Sequence, residues 1–68
     1  MKKLYVLRQK EFGAIAFNED EAIIEAMYEA ETQNGKYAGF SIKEATIPEN
    51  IFKLEMVEFW NYLTKVTQ

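Results

Sequence analysis

Carboxylates are the commonest chemically versatile groups in this chain: of its 68 residues, 11 are Asp or Glu and 8 are Lys or Arg, while His and Cys are absent. That absence removes the zinc finger, the usual haem ligands, the Cys nucleophile and the Ser–His pair. The carboxylates are unevenly spread. Between Lys10 and Lys36 stand Glu11, Glu19, Asp20, Glu21, Glu25, Glu29 and Glu31 with no basic residue among them. Glu21, Glu25 and Glu29 fall at i, i+4 and i+8, so a helix through them carries a row of carboxylates with a rise of about 6 Å between neighbours. Like charges at that spacing oppose helix formation, and a surface made for solubility alone more often intersperses Lys with Glu.

Such a row suits the steering of a basic partner, for instance a nucleic-acid-binding groove in which carboxylates stand in for phosphates. It equally suits the solvated face of an acidic protein. It does not suit a metal: there is no D-x-[DN]-x-[DN]-G loop, and three Glu along an open helix hold Mg²⁺ or Ca²⁺ weakly, so neither metal nor other cofactor is expected. Paired-carboxylate hydrolysis needs an acid of raised pKa in a cleft, for which so short a chain has little room. The expectation is therefore a protein without enzyme activity. Direct binding of nucleic acid is not expected either, because Lys2, Lys3, Arg8 and Lys10 on one hairpin make no continuous basic stripe.

A second candidate surface lies near the C-terminus. Phe52, Met56, Phe59, Leu63 and Val66 step by 4, 3, 4 and 3 along one side of a helix, widened by Trp60, and form the stripe expected to lie on a sheet beside the first helix. Ile51, Leu54, Val57 and Tyr62 fall outside it. With Tyr28 from the first helix, Leu54, Val57 and Tyr62 approach a contact patch of the types enriched at interfaces. Alternatively, Ile51 and Tyr62 flank the core. Self-association, by this patch or by pairing of an open strand edge, would also cover the surplus.

The elements that carry these groups follow from local pattern. Hydrophobic types make up 49% of the chain and aromatics 15%, enough to fold a domain that buries only about 60% of its unfolded surface. Lys3 to Lys10 reads as a central strand, apolar at Leu4 and Val6 as well as at Tyr5 and Leu7. A reversal at Lys10–Gly13 leads to Ala14–Phe17, with Ile15 and Phe17 inward. Asn18 and Glu21 make a capping box for a helix whose inner stripe is Ile23, Met27 and Ala30, widened by Ile24 and Ala26, and which ends at Asn34–Gly35. Tyr37 to Ile47 is a strand with Ala38, Phe40 and Ile42 on its buried side, slipping phase near Lys43 and Glu44 as at a bulge or a strand end. Pro48 opens the last helix, which runs past Phe59 and Trp60 towards Val66.

The expected fold is α+β, a single small domain over residues 1–68, in the order β-β-α-β-α. Its three-stranded, mainly antiparallel sheet has the order 2-1-3 with two helices packed on it, and β2–α–β3 forms a split βαβ unit. The central strand then needs cover on its second face, from the final helix or from another copy of the chain. No apolar run approaches the roughly 20 residues of a membrane span. The start, Met1 to Leu7, is cut short by Arg8–Glu11 before a secretory h-region forms, so a cytoplasmic setting is expected.

The expected function is a small acidic binding module that occupies a surface of a larger macromolecule, as an inhibitor or regulator, with Glu21, Glu25 and Glu29 for steering and Tyr28, Leu54, Val57 and Tyr62 for contact. Very small, acidic, cysteine-free accessory proteins of this general type include those that bacterial viruses direct at their hosts. A structural homodimer with no tight foreign partner is the alternative.

Overall fold

Leu4, Val6 and Leu7 are all buried although successive strand residues point to opposite faces, so the strand that holds them must be covered on both sides. In the computed structural model, which describes residues 1–68, that strand is β1 (Lys2–Gln9), central in a sheet of order β2-β1-β3 with β2 at Gly13–Asn18 and β3 at Phe40–Ile47. Both neighbours run antiparallel to β1. β2 and β3 are therefore parallel to each other, and the connection between them, through α1 (Glu21–Asn34), steps over β1 as a split βαβ unit does. A short 3₁₀ helix (Glu49–Lys53) and α2 (Met56–Val66) complete the chain. The domain is α+β.

Register assigns the two faces. Leu4, Val6, Ala14, Ala45 and Ile47 form one cluster with Phe59 and Leu63 of α2. Leu7 points the other way, paired with Ala16 and Ile42, and is buried on the side where α1 sets Ile24. The helices thus lie on opposite faces of the sheet, α1 across all three strands and α2 nearest β2. The final helix covers the second face of β1, as one of the two expected solutions requires, but it does not lie beside the first helix.

Several local expectations change with this arrangement. The strand bulge sits in β2, where Leu7 pairs with Ala16 and Arg8 with Ala14, leaving Ile15 as the extra residue. Ile15 is consequently turned outward and exposed, while Ala14 and Phe17 share the α2 side. β3 has no bulge, since its pairing with β1 is continuous from Gln9–Phe40 to Lys2–Ile47. The phase slip in its sequence arises because Phe40 and Ile42 serve the α1 face and Ala45 and Ile47 the α2 face.

The first helix is capped by Asp20, whose carboxylate accepts from the Ala22 N–H, while the Asn18 side chain accepts from the Asp20 N–H one step earlier. This places Ile24, Tyr28 and Glu31 inward, leaving Ile23 46% and Met27 42% exposed. Gly35, at φ 72°, ends the helix as expected.

The last helix is two pieces. Leu54 and Glu55 are extended, breaking the run between the 3₁₀ turn and α2. On one continuous helix Ile51 would stand about 80° round from Phe59. The break lets Ile51 pack against the same core as Phe59 and Leu63.

Fully buried Leu4, Val6, Ile24, Ile47 and Leu63 each contribute about 1.5–3 kcal/mol relative to exposure. Polar ties hold α2 to the sheet. Thr64 Oγ1 accepts from the Ala14 N–H and donates to the Trp60 carbonyl. Arg8 donates from Nη1 to the Thr67 carbonyl, where its cation also suits the negative end of the helix.

Candidate functional site

Five exposed apolar side chains, Phe17, Phe52, Leu54, Met56 and Val57, come from the end of β2, the 3₁₀ turn and the first turn of α2 with the link between them. Phe17, Phe52, Leu54, Met56, Phe59 and Trp60 line an open groove of about 420 Å³. Its lining includes a cluster of tilted aromatic rings: Phe17 lies 5.1 Å from Phe59 and 5.2 Å from Trp60, and Phe52 lies 5.4 Å from Phe59, ring centroid to ring centroid. Each residue is there for a local reason. The β2 bulge turns Phe17 to the α2 side, and the extended pair Leu54–Glu55 swings Phe52 and Leu54 out of the helical stripe. Met56, at the start of α2, stands on the rim 75% exposed, next to Val57 at 71%.

A smaller, more polar hollow adjoins the groove and shares Phe17 and Phe52 with it, its other walls being Lys2, Leu4, Asn18 and Glu19. Lys2 Nζ lies 2.8 Å from the Glu19 carboxylate and 5.9 Å from the Phe52 ring centroid. Its ammonium is held above the ordinary lysine pKa, first by the hydrogen bond to Glu19 and then by the charge of that carboxylate. On the opposite face Lys3 is raised in the same way by Glu44, 2.8 Å away. Two of the four basic residues at the start of the chain are thus matched by carboxylates, and Arg8 is engaged with α2.

The groove's lining groups neither give nor take protons; they are apolar and aromatic, suited to burying a hydrophobic side chain of a partner. No three carboxylates of the chain gather as a metal-binding group. No helix is long and apolar enough to cross a membrane.

Residues singled out from sequence are divided by the fold. Glu21, Glu25 and Glu29 all lie exposed on α1 and form the anticipated row, but on the far side of the sheet from the groove. Tyr28 is half-buried one turn from Ile24 on the inner side of α1, so it does not join the other three patch residues. Tyr62 is half-buried against the core, Leu54 lines the groove, and Val57 is open to solvent beside it. The four named residues therefore form no single surface. Phe17, Phe52, Met56 and Trp60, all assigned from sequence to the interior, make most of the exposed apolar site instead. The available signal was arithmetic: residues 51–63 hold more large apolar side chains than one sheet face can cover.

Comparison of the chain with protein-family models, with curated proteins and with solved structures returns no match.

Proposed function

We propose that this protein is a non-enzymatic binding module that works by docking a segment of another protein into the groove between β2, the 3₁₀ turn and α2. The observation that carries this reading is the open aromatic well, walled by six apolar side chains, with Met56 and Val57 standing exposed at its mouth. A domain this small gains by burying every large apolar group it can, so aromatic area left in water has its natural use in a contact. Aromatic and Met side chains are also those that supply most energy at interface centres.

The acidic row on α1 takes a lesser part. Lying across the sheet from the groove, Glu21, Glu25 and Glu29 affect a docked partner only through the long-range field, which salt screens within about 10 Å at 0.1 M. Inhibition or regulation of the partner follows if the groove covers a surface that the partner needs for its own work.

A partner isolated with the protein from its native cells and then purified tests this. It should bind wild-type and Glu25→Gln protein alike and bind Met56→Asp at least tenfold more weakly, given that a charge buried at an interface centre is strongly unfavourable. A purified partner that binds Met56→Asp as tightly as wild type overturns the proposal.

A further inference from the structure

Of the sheet's two outer edges, the one along β3 is the longer and the more regular. β2 has six residues and a bulge at Ile15, whereas β3 has eight and pairs with β1 without interruption. The Lys10 N–H donates to the Gly39 carbonyl, one step beyond the Gln9–Phe40 pair. Hydrogen-bonded pairs alternate along an antiparallel ladder, so Ser41, Lys43, Ala45 and Ile47 turn their backbone groups to β1. Phe40, Ile42, Glu44 and Thr46 turn theirs outward. No loop or side chain bonds to any of those N–H or C=O groups. A row of unpaired main-chain groups is a template for a further strand.

The side chains along this edge disfavour one occupant. A second copy would pair antiparallel across a two-fold axis normal to the sheet, with outward residues facing outward residues, so the numbers of facing residues add to an even total. Every such register that overlaps nearly all of β3 sets either Lys43 or Glu44 opposite its own image, and like charges directly opposite are destabilising. A free segment has no such restriction. Running antiparallel to β3, it can set an acid opposite Lys43 and a base opposite Glu44, with apolar residues beside the half-buried Phe40 and Ile42. Lys43 is exposed and in no ion pair, so the acid answers a charge that the chain leaves free. The base joins Lys3, which already lies 2.8 Å from Glu44.

We infer that the outer edge of β3 takes an extended segment of another protein as a fourth, antiparallel strand. That segment reads Lys or Arg and then Asp or Glu at its centre, followed by alternate apolar residues. The contact lies across the sheet from β2 and is separate from the groove.

The probe is a synthetic strand as long as β3 with this pattern and Thr elsewhere, and the measurement is amide hydrogen exchange resolved by residue. In the free protein, Phe40, Ile42, Glu44 and Thr46 should exchange severalfold faster than Ser41, Lys43 and Ala45. Millimolar peptide should slow the outward set severalfold. N-methylation of the peptide residue opposite Ile42, whose main chain faces β3, should abolish that effect, while N-methylation of the residue opposite Lys43, whose main chain faces away, should not. Met56→Asp protein should respond as wild type does.

Outward amides that the peptide leaves unchanged, or two N-methylated peptides that act alike, overturn the inference. So does a response that Met56→Asp removes, which would put the segment in the groove and leave the docking proposal standing. Outward amides already slow in the free protein, with a dimer on sedimentation, overturn it in favour of a second copy.

Discussion

The two faces of this sheet are covered in different ways. On one, α1 commits a single fully buried residue, Ile24, and shows solvent a line of carboxylates on one flank with Ile23 and Met27 on the other. On the other, α2 and the 3₁₀ turn bury Phe59 and Leu63, tie Thr64 and Thr67 to their surroundings by hydrogen bonds, and still leave an aromatic groove open. The α1 face is a thin lid; the α2 face holds both the main core and the candidate site. Core and groove share one layer of the molecule, so a residue that holds the fold, Leu63, and one left exposed at the groove, Met56, stand on the same helix.

The largest effect should come from the α2 face. Leu63→Ala empties a fully buried position and should cost about 3–4 kcal/mol, a large share of the stability of a domain this size. Chemical denaturation measures it. Ile24→Ala is the matching change on the α1 face and should cost about 2–3 kcal/mol, because the thinner layer has more freedom to settle around the gap. If Ile24→Ala proved the costlier of the two, the description of α1 as a lid would fail.

Gly13 tests how closely α2 sits on β2. Its φ is +80°, and a Cβ there would come 2.5 Å from Thr64 Cγ2 and 2.7 Å from Thr64 Oγ1. Gly13→Ala should therefore destabilise by about 2 kcal/mol through backbone strain and crowding together. Adding Thr64→Ala should return part of that loss in a double-mutant cycle, since it removes the two closest contacts but not the strain. A loss that Thr64→Ala leaves wholly unrelieved would mean that α2 stands further from β2 than described.

A smaller effect concerns the rotation of α1, which sequence reading turned the wrong way. Ile23→Ala should cost well under 1 kcal/mol and Met27→Ala similarly little, against the larger cost at Ile24. Thermal melts of the three variants rank them, and an Ile23 variant less stable than the Ile24 variant would restore the stripe that the periodicity suggested. The sequence is ambiguous here for a physical reason: Ile23, Met27, Ala30 and Ile24, Tyr28, Glu31 repeat at the same 4 and 3 spacing. Composition favours the first set, but Asp20 rather than Asn18 caps the helix, and the sheet receives the second.

The central strand, the strand order and Gly35 as the end of α1 were all readable, because each rests on a strong local signal: apolar residues on both faces, a short hairpin, a residue free to take positive φ. The groove was not readable. Its walls come from three elements, and it exists because Leu54 and Glu55 break a pattern whose spacing looks continuous, and because a bulge at Ile15 turns Phe17 towards α2. Neither departure leaves a mark in the spacing of side chains. The same break explains the fate of the proposed patch: Leu54 and Val57 reach the groove's neighbourhood, while Tyr62 stays with the core.

The two faces also carry matched ion pairs, Lys2–Glu19 on the α2 side and Lys3–Glu44 on the α1 side, each 2.8 Å long and each more than half exposed. Both lysines are held above their ordinary pKa by the hydrogen bond to the partner carboxylate and by its charge. A raised lysine pKa contributes stability that is fully present below the unfolded value of 10.5 and is lost as pH rises through the folded value. Wild type should therefore show no loss from these pairs between neutrality and pH 10, and a small one above it. Solvent screening keeps that loss small on both faces. Lys2→Gln and Lys3→Gln should each remove part of the alkaline drop, visible as a shallower fall in Tm. If only Lys2→Gln did so, the ion pairs would repeat the asymmetry of the two faces; equal effects would confine that asymmetry to the buried apolar groups.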